Sequence, residues 1–236
     1  MFAKYKNKLV QIFEYQANST STKEIIERGF CFSEFQKKKL LFIGMNPSYV
    51  KGSIVGSHSY SVADALIGYN RHYGKFQDLV NETKYENDWT YIDLFYFRET
   101  EQFKIGEVIK EDVEFIIKQL QITDEIINEI NPEIIVVCNS GASNFFGINK
   151  VDNKHNIWLG YDFKFDENLG IERIIGINKN SILDSKNISE NIFGKPFLFS
   201  STLTYLDNFN KKRMKWIIKK VGENINKEND GQRNIR

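Results

Sequence analysis

The segment Lys39-Leu40-Leu41-Phe42-Ile43-Gly44-Met45-Asn46-Pro47-Ser48 predicts a buried β-strand that ends abruptly in a polar loop. Its apolar run is short and lies between a lysine cluster and a Gly-x-Asn-Pro break, as is typical of a central parallel strand. Gly44 imposes little steric restriction where the chain leaves the strand. Pro47 fixes its own φ and restricts Asn46 to extended conformations. The sequence therefore predicts an amide side chain held at the carboxyl end of a central strand, where open α/β sheets bind ligands.

Around this strand, the apolar periodicity predicts an alternation of helices and strands. Helices are predicted at 3–16, 22–37, 62–82 with a break near 68–74, 111–130, 141–147 and 207–222. Strands are predicted at 39–45, 89–95, 134–138 and 196–199, a β-hairpin at 157–177, and polar loops at 46–61 and 178–194. This alternation indicates an α/β protein, a three-layer α/β/α sandwich with a central four-stranded parallel sheet and a β-hairpin insertion.

Length and composition predict one globular domain over residues 1–236, with 1–37 as a helical N-terminal extension and 223–236 as a flexible tail. No apolar run approaches the roughly 20 residues that span a bilayer, and the N-terminus lacks the apolar core of a signal peptide. We therefore expect a cytoplasmic monomer with no membrane contact. Two cysteines, Cys31 and Cys138, cannot supply a three- or four-thiolate site, and with three histidines a His-based metal centre is not expected. No cofactor is predicted.

The net charge of +1 argues against a general nucleic-acid coat protein, but the charge is unevenly distributed. Residues 211–236 contain nine Lys/Arg and three Asp/Glu, a local charge of +6, so the remainder carries −5. Such a basic end predicts a phosphate-contacting surface formed by Lys211, Lys212, Arg213 and Lys215. The alternative is a solvated helix face followed by a frayed tail.

Three of the four predicted parallel strands end in polar residues. These are Asn46, Asp93 and the pair Ser200 and Ser201. Because the carboxyl ends of parallel strands share one edge of a sheet, these side chains are expected to converge on one pocket.

The segment Gly44-Met45-Asn46-Pro47-Ser48 resembles motif 1 of the uracil-DNA glycosylase superfamily, some of whose branches carry Gly-x-Asn-Pro-Gly there. The resemblance extends over roughly residues 35–220. It implies that Asn46 orients the water that attacks the glycosidic bond, and that Gly44, Met45, Pro47 and Ser48 border the substrate. The alternative is that Asn46 only closes an Asx-turn before Pro47.

Asp93, in Tyr91-Ile92-Asp93-Leu94-Phe95-Tyr96-Phe97-Arg98, occupies the position where the superfamily often has an Asn that reads the flipped base. An ionised Asp only accepts hydrogen bonds, so it cannot meet uracil O4 as the amide does. The residue is expected either to contact a base that offers more donors, or to form an ion pair with Arg98.

The second superfamily motif usually contains a histidine, whereas this chain has Phe199-Ser200-Ser201-Thr202-Leu203-Thr204. This resembles a branch of glycosylase-like proteins with Ser-Ser-x-Leu-Thr. The resemblance implies that Ser200 stands near the expected His and donates to the departing base, and that Ser201 contacts the substrate. Thr202 and Leu203 are implied as the wedge that fills the vacated stack. An ordinary strand–turn–helix with Asp207 as N-cap is the alternative.

Two further segments are candidates for substrate contact. The resemblance implies an aromatic residue that stacks on the base, and Tyr60 is the candidate; His58 is either a functional acid or a solvated loop residue. Residues 69–76 mix basic and aromatic side chains and either follow a DNA backbone or begin a surface helix.

Together these features predict a DNA base-excision glycosylase that flips a damaged base, uracil or another deaminated base, and hydrolyses its glycosidic bond without a cofactor. Its partner would be DNA, duplex or single-stranded. The main alternative is a catalytically weak or inactive module that binds DNA or nucleotides, and a nucleotide-directed hydrolase is a third possibility.

Overall fold

A computed structural model of the protein describes residues 2–148, 158–182 and 190–233, and it confirms the α/β class. The helices of the described chain are α1 Phe2–Ile12, α2 Thr20–Glu27, α3 Val62–Gly68, α4 Asn70–Val80, α5 Gln102–Glu111, α6 Val113–Ile130, α7 Ser140–Phe146 and α8 Asn208–Arg233. The strands are β1 Cys31–Ser33, β2 Leu40–Gly44, β3 His58–Tyr60, β4 Trp89–Asp93, β5 Ile134–Cys138, β6 Tyr161–Asp166, β7 Ile171–Ile177 and β8 Pro196–Ser200. None of the described helices is both long enough and apolar enough to cross a membrane.

The main sheet has six strands in the order β4-β2-β5-β8-β7-β6, and it is mixed rather than a four-stranded parallel sheet. Strands β4, β2, β5 and β8 each run parallel to their neighbours. The predicted hairpin is present as β6 and β7, but it is part of this sheet, because β7 pairs antiparallel with β8 through Glu172 and Arg173. Its pairing covers one side of β8, whose backbone groups would otherwise form an open edge.

A second, two-stranded parallel sheet of β1 and β3 was not predicted. Residues 22–37 were expected to be one helix and 46–61 a loop, yet each contributes a strand. Residues 30–33 are all buried, which this two-stranded sheet (the mini-sheet) achieves and a helix with one side exposed to solvent would not. The Ser33 hydroxyl donates to the Tyr91 carbonyl oxygen at 2.7 Å, so the mini-sheet lies against β4 and brings Tyr60 to the site edge.

Helices cover both faces of the main sheet, and its central strands are therefore buried on both sides. Leu41 and Ile43 of β2 belong to a core shared with α1, α2, α5, α6 and α7. Leu40 and Phe42 point to the other face and pack with α4 and α8. The near-continuous apolar sequence of β2 and β5 follows from this two-sided burial.

Two helix ends also differ from expectation. Helix α8 continues through Arg233, whereas 223–236 was expected to be a flexible tail; residues 234–236 lie outside the described chain. Helix α7 begins at Ser140, one residue before the predicted bound of 141, and Asn139 caps it, since its side chain accepts from the backbone N–H groups of Gly141 and Ala142. Asp207 caps α8, the feature that was stated as the alternative to a wedge in this loop, because its Oδ1 accepts from the Asn210 N–H at 2.8 Å.

Candidate functional site

The carboxyl ends of β2, β4 and β8 lie at one edge of the main sheet, as the parallel pairing requires. Gly44 and Asp93 are direct register partners. Strand β5 separates β2 from β8, so at roughly 4.8 Å between neighbouring strands the end of β8 lies about 10 Å from the end of β2. Ser200 is in register with Cys138 on that intervening strand.

The side-chain amide of Asn46 is fixed by three hydrogen bonds. Its Nδ2 donates to the carbonyl oxygens of Glu99 at 2.6 Å and Pro47 at 3.1 Å. Its Oδ1 accepts from Gln102 Nε2 at 3.1 Å. These are not the bonds of an Asx-turn, in which the side-chain oxygen accepts from its own turn. Because both N–H groups are used, the amide cannot flip without losing them, and Oδ1 keeps a second lone pair for an incoming donor.

Glu99 holds the backbone that anchors Asn46. Its buried carboxylate accepts from Arg28 Nη1 at 2.6 Å and from the backbone N–H groups of Thr100 and Glu101 at 2.7 and 2.9 Å. Burial alone would raise the pKa of Glu99, but these donors outweigh it and lower the pKa. Glu99 is therefore charged at neutral pH and fixes the loop at the edge of the site.

Tyr49 and two arginines complete the support of this loop. The guanidinium groups of Arg28 and Arg98 lie 4.5 and 5.3 Å from the centre of the Tyr49 ring. Arg98 also donates to the Ile54 carbonyl oxygen at 2.7 Å. Within the described chain no ion pair joins Arg98 to Asp93. The ion pair that was expected as the alternative role of Asp93 is therefore absent.

Gly44 makes room for a tyrosine–carboxyl pair directly over the end of β2. A Cβ at this position would lie 2.0 Å from Tyr91 Oη and 2.6 Å from Asp93 Oδ1. The Tyr91 hydroxyl donates to Asp93 Oδ1 at 2.7 Å. The glycine is thus required for close approach of these side chains, a different reason from the backbone freedom inferred from the sequence.

Tyr60 and Tyr73 extend this pair into a cluster. The Tyr73 hydroxyl donates to Tyr60 Oη at 2.6 Å, and the Tyr73 and Tyr91 rings meet edge to face at 5.3 Å. Burial is the main cause of the raised pKa of each tyrosine, and the charge of nearby Asp93 raises the pKa of all three further. The structure therefore brings Tyr60 and Asp93 together, and we call Asp93, Tyr60, Tyr73 and Tyr91 the phenol–carboxyl cluster.

Asp93 is only 5% exposed, and its protonation state differs from the one assumed in the sequence analysis. Burial raises its pKa to about 7, against the opposing effect of the Tyr91 hydroxyl. A large fraction of the molecules therefore carry a protonated Asp93 at neutral pH. The protonated carboxyl donates through one oxygen while the other accepts from Tyr91, which matches the donor and acceptor pattern of an amide.

Ser200 and Ser201 line a cavity of about 440 Å³ between the hairpin, β8 and α8. Ser200 Oγ is buried and has no hydrogen-bond partner, which is unusual for a buried hydroxyl. Glu172 and Arg213 line the same cavity, and burial raises the pKa of Glu172. Asn46 and Asp93 are not among the residues that line it, so Ser200 faces a separate cavity rather than the phenol–carboxyl cluster.

The loop after β8 differs from a simple wedge. Thr202 Oγ1 accepts from Asn139 Nδ2 at 3.5 Å. Leu203 is 2% exposed and packs in the core between the sheet, α4 and α8, so it is not presented to a ligand in this conformation. Tyr205, which is 85% exposed, is the aromatic side chain that this loop presents to solvent.

The predicted basic residues of α8 lie on two sides of the helix. Lys211, Lys212 and Lys215 line a groove of about 200 Å³ together with Lys75 of α4. Lys215 pairs with Glu82 at 3.0 Å. Arg213 instead lines the cavity beside Ser200.

The other residues that the sequence suggested for substrate contact lie partly in the core and partly on the surface. Met45 is buried, Ser48 is exposed, and His58 is exposed with Nδ1 3.5 Å from the Gly56 carbonyl oxygen. Residues 69–76 begin α4, and His72 packs against Tyr73 and Phe76, where burial lowers its pKa. This segment supports the phenol–carboxyl cluster from the core side.

Sequence reasoning missed Tyr91, Glu99 and Gln102, and it included Tyr73 only as part of the candidate segment 69–76. Tyr91 could have been found, because residues two apart on a strand share a face and Tyr91 must therefore flank Asp93. Glu99 lies in the irregular segment after β4 and Gln102 begins α5, and no periodicity connects either residue to Asn46.

A scan against models of known protein families gives no match to this chain, and a search of curated proteins gives none either. Within residues 2–148, 158–182 and 190–233, no group of three His, Cys, Asp or Glu side chains is arranged to hold a metal ion.

Proposed function

We propose that this protein is a DNA base-excision glycosylase, similar to the uracil-DNA glycosylase superfamily, that hydrolyses the N-glycosidic bond of a flipped, deaminated base. The observation that carries the proposal is the fixed amide of Asn46, whose Nδ2 donates to Glu99 and Pro47 and whose Oδ1 remains able to accept. This geometry supports the orientation of a water molecule by a group that does not itself need to remove a proton.

In the proposed reaction the water oxygen bonds to the anomeric carbon as the carbon–nitrogen bond to the base breaks. The electron pair leaves with the base, and the proton released by the water neutralises it. The sugar develops cationic character before the water bonds fully, so a weakly activated water suffices. Asn46 Oδ1 accepts from the water and holds it near the anomeric carbon, which lowers the barrier by positioning.

The phenol–carboxyl cluster supports recognition of the base. Protonated Asp93 offers one donor, and the Tyr60 and Tyr73 rings offer apolar faces beside it. In this proposal Asp93, which is 5% exposed in this structure, reads the edge of the base after the base has displaced the side chains that cover it, and Tyr60 packs against its face. Ser200 donates to the departing base after the loop that follows β8 has rearranged, since its hydroxyl is now buried without a partner in the wall of the cavity beside α8.

The proposal includes the finer features expected from the sequence. The protein acts as a cytoplasmic monomer without a cofactor, its partner is DNA, and its fold is a three-layer α/β/α sandwich built on the four parallel strands. Lys211, Lys212, Arg213 and Lys215 contact phosphates, and Thr202 belongs to the loop that approaches the vacated stack.

A non-catalytic DNA- or nucleotide-binding module is the second candidate, and two observations favour it. Gln102 Nε2 already donates to Asn46 Oδ1, which leaves less space for a water. Ser200 also brings no positive charge, so the stabilisation that a histidine gives to a departing base is absent.

An excision screen separates the two candidates. Oligonucleotides that carry uracil, hypoxanthine, xanthine or an alkylated base are incubated with the wild-type protein, Asn46→Ala and Asn180→Ala, which removes an exposed amide in another loop. We expect the wild type to excise at least one base. The excision rate should fall by roughly 10²-fold or more in Asn46→Ala, equal to about 2.7 kcal/mol in the barrier. Asn180→Ala should excise the base at the wild-type rate. Binding without excision of any base would reject the enzyme and support the module.

A further inference from the structure

The outward face of α8 combines exposed aromatic rings with positive charge. Helix α8 packs on the sheet through its apolar side, which consists of Met214, Ile217, Ile218 and Val221. Phe209 and Trp216 are seven positions apart, which places them in one row on the exposed side of the helix, and Arg213 flanks this row on the side of the cavity beside Ser200. Phe209 is 75% exposed and Trp216 53% exposed, although both are large apolar side chains. We call Phe209, Lys212, Arg213 and Trp216 the outward face of α8.

The charge around this row is of one sign. Between Asn208 and Gly222 the chain has six Lys or Arg residues and no Asp or Glu. Lys215, on the flank of the helix, forms an ion pair with Glu82, whereas Lys212 and Arg213 form no ion pair within the described chain. The outward face therefore presents cations to solvent on both sides of its aromatic rings.

We propose that the outward face of α8, together with Tyr205, binds an unpaired nucleic-acid strand by stacking its bases on the aromatic rings while Lys212 and Arg213 contact its phosphates. Tyr205, 85% exposed, lies just before the helix and extends the row. The proposal rests on the proposed function only for the choice of DNA as ligand, because stacking and phosphate contact do not require excision.

The dimensions suit a short stretch of strand. Phe209 and Trp216 are seven positions apart, which corresponds to about 10 Å along the helix axis. That length matches roughly three steps of a stacked strand at about 3.4 Å each. Aromatic residues spaced within a basic surface are the combination by which proteins hold unpaired strands without reading their sequence.

An unpaired strand fits this face better than a duplex or a membrane. A duplex hides the faces of its bases, so it would leave the exposed rings of Phe209 and Trp216 without a stacking partner. An amphipathic helix on a lipid surface inserts its apolar side, but that side of α8 is already buried against the sheet. Anionic lipid is thus an outcome of the test rather than the favoured ligand.

The test measures fluorescence anisotropy of a labelled 12-nucleotide single strand and of the same sequence as a duplex, with the full chain at low salt. The Phe209→Ala/Trp216→Ala double variant should lose about tenfold or more in affinity for the single strand, because each stacked base contributes substantially. Its affinity for the duplex should change less than twofold. Phe103→Ala, which removes an equally exposed ring on α5, should leave both affinities unchanged.

Several results would overturn the proposal. Equal losses for single strand and duplex would assign the rings a structural role, as would a matching loss in Phe103→Ala. Binding to phosphatidylserine vesicles in the absence of single-strand binding would assign the face to a membrane. Because the oligonucleotides carry no damaged base, failure of the excision screen leaves this test unaffected, and failure here leaves the excision result unaffected.

Discussion

At the scale of single residues, the bonds of Asn46 explain why an amide rather than a carboxylate stands at this position. Its Nδ2 donates to two carbonyl oxygens, so a carboxylate at the same place would face both of them without a proton to share. Asn46→Asp should therefore destabilise the protein at pH 7 by about 1–3 kcal/mol. The introduced carboxyl would have a raised pKa in the folded state, so the loss should shrink as the pH falls toward 4.

Urea unfolding of the wild type, Asn46→Asp and Asn46→Ala at pH 4.5 and pH 7 checks this expectation. Asn46→Ala serves as the control, because it removes the amide without adding charge, and its loss should not depend on pH. An Asn46→Asp variant as stable as the wild type at pH 7 would contradict the description of the amide as a double donor.

Gly44 provides the second residue-scale prediction. A Cβ would lie 2.0 Å from Tyr91 Oη and 2.6 Å from Asp93 Oδ1, so Gly44→Ala should cost about 1–3 kcal/mol in the free energy of unfolding. Tyr91→Phe removes the nearer atom and should recover part of that loss when the two changes are combined. A double-mutant cycle in urea measures the coupling. Strict additivity would show that the two side chains do not meet.

Asp93 should make stability depend on pH. Its pKa rises from an ordinary carboxyl value to about 7 on folding, so the folded state binds more protons than the unfolded state between pH 4 and 7. The free energy of unfolding therefore falls as the pH rises through this window and levels off above it. The surrounding Tyr60, Tyr73, Tyr91 and Cys31 remain neutral there, because burial raises the pKa of each.

Asp93→Asn keeps the acceptor for Tyr91 and cannot ionise. Between pH 5 and pH 8 the free energy of unfolding of the variant should rise by about 2–3 kcal/mol relative to that of the wild type. Chemical denaturation at both pH values gives the difference. An identical pH dependence in the two proteins would show that Asp93 is charged in the fold. In the excision assay, the same variant should shift preference toward uracil over hypoxanthine most at pH 8, where wild-type Asp93 has lost its proton.

At this scale the sequence predicted the residues but not their partners. Asn46, Asp93 and Tyr60 could be selected because strand ends and motif spacing are local properties. The bonds from Asn46 to Glu99 and Gln102 join segments 53 and 56 residues apart, and no local pattern encodes such a distance. The displacement of Ser200 into a separate cavity likewise depends on how the hairpin and α8 pack.

At the scale of elements, the prediction succeeded where hydrophobic periodicity was strong. Strand β5 has the predicted bounds, and β2, β4 and β8 differ from them by one or two residues, because two-sided burial produces continuous apolar runs. Strands β1 and β3 have three residues each, too short to show a period, and α5 was not predicted. Helix α8 extends past 222 although its sequence there is polar.

The hairpin is joined to α6 by one buried hydrogen bond that allows a prediction at this scale. The Tyr161 hydroxyl donates to Asp124 Oδ1 at 2.5 Å. Burial raises the pKa of Asp124 to about 6, and the Tyr161 hydroxyl opposes this rise. Tyr161→Phe removes the donor, so the pKa should rise further and the loss of stability should grow as the pH increases from 6 to 8.

At pH 8 the expected loss is about 1–3 kcal/mol, since a buried carboxylate then lacks its strongest donor. Thermal or urea unfolding at pH 5 and pH 8 measures the change, and Tyr205→Phe, which removes an exposed hydroxyl, is the control. A loss in Tyr161→Phe that does not vary with pH would mean that Asp124 stays neutral in the fold.

At the scale of the whole molecule, the uneven charge is the property that bears on binding. The chain is nearly neutral, yet the last 26 residues carry +6 and the remainder −5. The basic groove formed by Lys75, Lys211, Lys212 and Lys215 lies between α4 and α8, on the sheet face that also carries the phenol–carboxyl cluster. A polyanion drawn to this region would thus approach the candidate site, whereas the negative remainder of the surface would repel it.

If these lysines contact phosphates, DNA affinity should fall steeply with salt concentration, because each contact releases condensed counterions. Lys211→Ala/Lys212→Ala should flatten the log–log slope of affinity against salt by about 1.8 for duplex DNA and about 1.4 for a single strand. Lys37→Ala/Lys38→Ala removes the same charge just before β2, at the opposite edge of the main sheet, and should leave the slope unchanged. The measurement is a binding titration at four salt concentrations for the three proteins. Should both double variants flatten the slope equally, the effect would come from net charge, and the groove between α4 and α8 would have no special part in binding.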